Sequence, residues 1–253
     1  MSEQEAGQET FLSHLIELRN RLLWSVIAVV VAFVCLAPWA KDIYHLVSQP
    51  MLAQLPKGGR MIATGVTTPF FIPFKITFLA AVLVSLPFLL YQVWAFVAPG
   101  LYAHEKRLVA PLVIASTVLF ALGMAFAYFF VFPVVFRVMR TFTPEGVDWM
   151  PDIGTYLSFV VNMFIAFGVA FEVPIVVILL VRMGVVSVAK LKEMRPYVIV
   201  GAFVIAAVVT PPDVTSQLLL ALPLCLLYEA GLLVASFMAR SKPDELASEY
   251  QKE

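Results

Sequence analysis

Six stretches of this chain carry almost no charge, and each is about as long as a helix that crosses a bilayer: 22–40, 76–98, 108–136, 153–181, 196–212 and 214–232. A span needs roughly 20 apolar residues to cover the hydrocarbon core. Within lipid a backbone amide finds no water, so such a run must satisfy its own N–H and C=O groups and becomes a helix. The expected fold is therefore an all-α integral membrane protein of six transmembrane helices, a single membrane domain over 1–253 with little chain outside the bilayer. Composition agrees: 61% of residues are hydrophobic, 13% are charged, and the mean hydropathy is +0.92. Soluble domains carry roughly 25% charged residues. The formal net charge is zero, so no bulk field points to nucleic acid.

Prolines interrupt the apolar runs at Pro87, Pro111, Pro133, Pro174 and Pro223. Each removes an amide hydrogen and bends a helix. Several bent helices predict a curved, concave arrangement rather than a parallel bundle. The fifth run, 196–212, rises only about 25 Å at ~1.5 Å per residue, short of a core of ~30 Å. The sixth meets Glu229 early. Either that residue marks the edge of a second short span, or it is an acid inside the membrane.

Eleven of the 17 Lys and Arg residues fall on the side of the first 21 residues if all six runs cross. The positive-inside bias then places both termini in the cytoplasm. The first run is longer than a signal-peptide core and has no small-x-small cleavage site after it, so it is expected to be retained. On the opposite side, 41–75 predicts a cap. Ile43, Leu46, Val47, Met51 and Leu55 recur at helical spacing. Pro50 and Pro56 break that segment, and Pro69 and Pro73 punctuate the approach to the second span.

Several functions are excluded at this level. Cys35 and Cys225 lie inside apolar runs, and His14, His45 and His104 are scattered without metal-ligand spacing. There is no Gly-rich phosphate loop and no nucleophile beside a base. The chain reads as neither an enzyme nor a cofactor protein, and energy must come from the membrane gradient or from a partner.

Three places could carry chemistry. Glu172 lies deep in 153–181, where a charged carboxylate costs at least ~2.5 kcal/mol. It must be protonated, paired or turned toward a polar cavity, with Asn162 and Gln217 as candidate neighbours. Its plain structural alternative is a protonated side chain bonding an adjacent helix. The run 13–21 places His14, Glu17 and Arg21 on one helical face. The residues alone favour an ordinary Glu17–Arg21 pair on an interfacial helix. The turn 96–107 holds Phe96, Tyr102, Glu105, Lys106 and Arg107. By itself it is a cytoplasmic hairpin anchored by aromatic and basic residues.

Five segments together resemble the TatC family, the polytopic subunit of the twin-arginine protein translocase. They are Ser-His-Leu-Ile-Glu-Leu-Arg at 13–19, Phe-Val-Ala-Pro-Gly-Leu-Tyr-Ala-His-Glu-Lys-Arg at 96–107, Ala-Phe-Gly-Val-Ala-Phe-Glu-Val-Pro at 166–174, Arg-Pro-Tyr at 195–197, and Thr-Pro-Pro-Asp at 210–213. The resemblance implies recognition of signal peptides with consecutive arginines and export of folded proteins across the bacterial cytoplasmic membrane. It assigns Glu17, Arg19, Phe96 and Glu105 to signal-peptide binding. It assigns Glu172 and Gln217 to contact with single-span partner helices of the TatA and TatB type, in a multimeric complex. Pro50, Tyr128 and Asp213 match further positions the family needs. Paired carboxylates suit this role, because a guanidinium fork matches a carboxylate bidentately and an ammonium does not.

Two other readings remain at this stage. A proton-coupled secondary transporter would use Glu172, with Glu229, as proton carrier, bind a small solute and work alone. A membrane scaffold would transport nothing.

Overall fold

The computed structural model describes the backbone of residues 3–56, 59–97, 109–210 and 213–249. Among these, the chain is helical, and one isolated parallel bridge joins Ile62 to Asp152. The helices are α1 (Glu3–Leu36), α2 (Ala40–Leu52), α3 (Thr68–Val97), α4 (Val109–Phe126), α5 (Phe132–Thr141), α6 (Ile153–Arg182), α7 (Val188–Glu193), α8 (Arg195–Val209) and α9 (Val214–Glu249). Five stretches are long and apolar enough to cross a membrane: His14–Leu52, Thr68–Phe96, Ala110–Thr141, Ile153–Arg182 and Val214–Met238. The shorter α8 occupies the position of the expected fifth span. The protein is an all-α membrane protein.

Contacts divide the chain into two compact units, one of residues 1–48 and 63–117, the other of 49–62 and 118–253. In the first unit α1 packs along α3. Ser85 Oγ donates to the Ala28 carbonyl at 3.3 Å, and Phe33 meets Phe78 edge to face. The buried face of α3 runs through Ile72, Ile76, Leu79, Ala81, Leu86 and Trp94. The indole N–H of Trp94 donates to Ser116 Oγ at 3.0 Å, a buried bond that ties α3 to α4. Most of the other α1 side chains, among them Leu22, Trp24, Ile27, Val31 and Val34, face outward. A helix apolar on all sides is what lipid contact requires.

The second unit is built around α6 and α9. Its core holds Phe132, Phe136, Phe164, Phe167 and Tyr156, with ring centroids 5.2–5.8 Å apart for the pairs Phe132–Phe164, Phe132–Phe136 and Phe136–Tyr156. Gly231 of α9 lies against Pro174 of α6, where an added Cβ would come within 2.7 Å of the proline Cα. One turn before Gly231, Tyr228 OH donates to the Leu191 carbonyl at 2.8 Å, closing α7 onto α9 around Val177 and Leu232.

The structure differs from the sequence expectation in three places. Residues 41–75 are not a separate cap throughout. A single 3-10 turn at Ala37–Trp39, holding Pro38, leads α1 directly into α2. The helix then runs two residues past Pro50, which is buried. Pro50 lacks the N–H that would bond the carbonyl four residues back, and the helix ends within the turn that follows it. The second span starts at Thr68 rather than 76, because Pro69 stands in the first turn, where its missing N–H costs nothing. The third is interrupted by a π turn, Ala127–Val131, with the Phe132 N–H reaching back five residues to the Ala127 carbonyl. Pro133 follows at once, and its ring would crowd the carbonyl four residues back in a regular helix. The widened turn relieves that crowding.

Glu229 has an ionic partner in α8. Arg195, the first residue of α8, donates to Glu229 at 2.7 Å, and both side chains are about two-fifths exposed. The pair sets Glu229 beside the first residue of α8. Between Val214 and Glu229 α9 is as short as α8; beyond it the helix continues, apolar to Met238.

Candidate functional site

The first unit brings two of the sequence motifs together at one end of the α1–α3 pair. The His14 ring stacks on Phe96, with centroids 4.3 Å apart and planes 19° from parallel. One turn along α1, Glu17 Oε1 accepts from Arg21 Nε at 2.9 Å and from Arg21 Nη2 at 2.6 Å. The third donor, Arg21 Nη1, reaches Gln92 Oε1 on α3 at 3.1 Å. Helical spacing puts His14, Glu17 and Arg21 on one face; α3 places Gln92 and Phe96, four residues apart, opposite that face. The result is an acidic side chain between a stacked aromatic pair and a hydrogen-bonded guanidinium. An exposed i,i+4 pair contributes only about 0.3–0.5 kcal/mol, so stability is a weak reason for this arrangement. Chemically it offers a carboxylate to cations and a ring surface to whatever carries them.

Of the other expected binding residues, Arg19 is exposed and, among the described residues, its guanidinium bonds its neighbour Asn20, at 3.2 and 3.4 Å. Glu105 lies outside the described residues. Gln92 was not foreseen. It carries no local motif, and its contact lies 71 residues away in sequence.

A second polar group sits at the α8–α9 turn. Asp213 caps α9, with Oδ1 accepting from the Ser216 N–H at 2.7 Å. The other carboxylate oxygen, and Ser216 Oγ three residues on, are buried and carry no hydrogen bond among the described residues. Gln217 Nε2 donates to the Phe203 carbonyl at 3.3 Å, and Thr210 Oγ1 to the Ala206 carbonyl at 2.8 Å. This is a cluster of polar atoms at a helix start, in surroundings that are otherwise apolar. Glu172 lies within α6, half-buried, with both carboxyl oxygens withdrawn from the surface. It precedes by two residues the close approach of Pro174 to Gly231. Asn162 is exposed and about 15 Å along the same helix, so it is not a neighbour of Glu172. Tyr128 stands in the π turn, half-buried against Phe129 and Phe132.

The family model for Sec-independent protein translocase protein (TatC) matches residues 13–223. The chain belongs to the TatC family. A relative of that name from Haemophilus influenzae is 54% identical over 247 residues, covering 98% of this chain and 96% of the relative. Another, from Halothiobacillus neapolitanus, is also 54% identical and covers 94% of this chain, which spans 65% of that longer protein. The crystal structure of the twin arginine translocase receptor TatC superposes with a TM-score of 0.79 at 39% identity, over 88% of this chain and 98% of the other. Membership makes this chain a translocase component, a transport protein of the membrane.

Proposed function

We propose that this TatC-family chain is the receptor for twin-arginine signal peptides and the core membrane component for export of folded proteins across the bacterial cytoplasmic membrane. The observation that carries the reading is the meeting of Glu17 with Phe96's helix: the Glu17–Arg21–Gln92 bonds and the His14–Phe96 stack join two motifs at one end of α1 and α3. Glu17, together with Glu105, receives two adjacent guanidinium groups, and Phe96 packs against the peptide beside them. Arg19, exposed at this end, interacts with the peptide's flanking residues. The positive-inside bias puts this end, and both termini, in the cytoplasm, where signal peptides arrive.

The same reading takes Glu172 and Gln217 as docking positions for single-span helices of the TatA and TatB type, within a multimeric complex in the lipid bilayer. Buried oxygens with hydrogen-bonding capacity left over, at Asp213 and Ser216, support a polar partner near the start of α9, because an unsatisfied buried polar group is costly. Short α8 and the matching part of α9 suit a locally thinned bilayer.

The experiment is co-purification of membranes containing this chain with a twin-arginine signal peptide and with a twin-lysine control. The parent retains the first over the second. Glu17→Gln weakens retention by about 1.5–3 kcal/mol, the range for a charge-assisted hydrogen bond. Equal retention of both peptides by the parent contradicts the receptor role.

A further inference from the structure

We propose that Arg21 is a resident guanidinium that occupies Glu17 and thereby sets the site's selectivity for arginine over lysine; this rests on Glu17 receiving the arginines of a signal peptide. Arg21 already presents to Glu17 the chemistry a peptide arginine would bring. Two of its N–H groups converge on Oε1 at 2.6 and 2.9 Å. A third contact, to Gln92 Oε1 at 3.1 Å, comes from a different helix. That third contact separates this pair from an ordinary i,i+4 pair. A lone exposed pair leaves both side chains free to swing, whereas Gln92 fixes the guanidinium across the gap between α1 and α3. Arg21 is accordingly the more covered partner, 25% exposed against 36% for Glu17.

A cation arriving at Glu17 therefore meets a carboxylate that is already compensated. It must replace Arg21 rather than add to an open charge. A peptide arginine replaces it like for like, with a planar fork that can engage both carboxylate oxygens. A lysine offers a compact, strongly hydrated ammonium, which gives up its water and does not reproduce the fork. The exchange is close to even for arginine and unfavourable for lysine. Selectivity is a difference between two affinities, and an element that acts against the competitor supplies it as well as one that favours the ligand. A Glu17 with no resident partner would draw either cation by charge alone. Gln92 acts through Arg21 and is a positioning residue.

The test uses membranes carrying the full translocase and a pair of signal peptides, one twin-arginine and one twin-lysine, captured by photocrosslinking. The readout is the ratio of the two yields in the parent, Arg21→Met and Gln92→Leu. Arg21→Met is expected to lower the ratio several-fold through a rise in twin-lysine capture, and Gln92→Leu to lower it in the same way by less. An unchanged ratio in both variants overturns the proposal. So does a ratio that falls only because twin-arginine capture drops, since Arg21 would then be a support for Glu17. If Arg21→Met does not accumulate, Gln92→Leu decides alone, and an unchanged ratio there overturns the proposal. A parent that does not distinguish the peptides removes the receptor reading itself, a separate result from a discriminating parent whose variants do not change.

Discussion

Gly231 of α9 lies against the backbone of Pro174 of α6: a Cβ on the glycine would meet the proline Cα at 2.7 Å and the proline carbonyl oxygen at 3.2 Å. Both are backbone atoms, so no side chain can turn aside to make room. Proline also lacks the N–H that would bond the carbonyl four residues back, which removes one α6 backbone bond at this contact. Gly231→Ala is expected to push the helices apart and destabilise the protein by about 1–3 kcal/mol, the usual cost of overpacking. A Cβ on Gly201 of α8 would meet nothing within 4 Å, so Gly201→Ala is expected to be neutral or stabilising by up to about 1 kcal/mol. Thermal unfolding in detergent checks both, and equal effects would show that the contact is not limiting.

Asp213 separates a capping role from a recognition role. Its Oδ1 caps the Ser216 N–H, and an asparagine oxygen can do the same. If capping is all it does, Asp213→Asn retains stability and export, while Asp213→Ala loses about 1 kcal/mol. If the buried second oxygen also receives a partner's side chain, Asp213→Asn keeps stability yet lowers crosslinking to TatA-type and TatB-type helices. Measured together, melting temperature and crosslinking yield distinguish the two, and the second outcome is the one expected.

Glu172 separates docking from proton carriage. A carboxyl at that depth is held by hydrogen bonds or remains protonated. Glu172→Gln keeps most of the bonds a neutral acid makes, whereas Glu172→Ala keeps none. Docking predicts that partner crosslinking and export fall strongly in the alanine variant and mildly in the glutamine variant. A proton carrier fails equally in both. Full crosslinking with export equally abolished in the two variants would count against docking.

The helices were legible because lipid leaves the backbone no alternative. Residues 153–181 were expected as a span, and α6 covers Ile153–Arg182. The Asp152 cap, with Oδ1 accepting from the Gly154 and Thr155 N–H groups at 2.9 Å each, fixes its start. Where the chain nears the bilayer edge that constraint weakens, and local rules misjudged the ends. Pro50 reads as a breaker, yet α2 continues to Leu52; Pro69 reads as punctuation before a span, yet a proline in the first turn of a helix is tolerated. At the candidate site, the shared face of His14, Glu17 and Arg21 was legible from helical spacing. The Gln92 bond and the stacking of His14 on Phe96 were not, because each joins residues that only the packing of α1 on α3 brings together. The match of Arg195 to Glu229 was hidden for the same reason, since the two come from consecutive helices 34 residues apart in sequence.

The receptor claim is tested most directly by placing an aromatic photocrosslinking residue at position 96, in place of the ring that stacks on His14, and presenting a twin-arginine signal peptide to membranes that otherwise carry the parent, Glu17→Gln or Glu105→Gln chain. The account predicts a crosslink within a few residues of the arginine pair in the parent and a reduction of roughly tenfold or more in each acid variant, the factor that corresponds to a loss of about 1.4 kcal/mol. Undiminished crosslinking at the same peptide positions in both variants would contradict it.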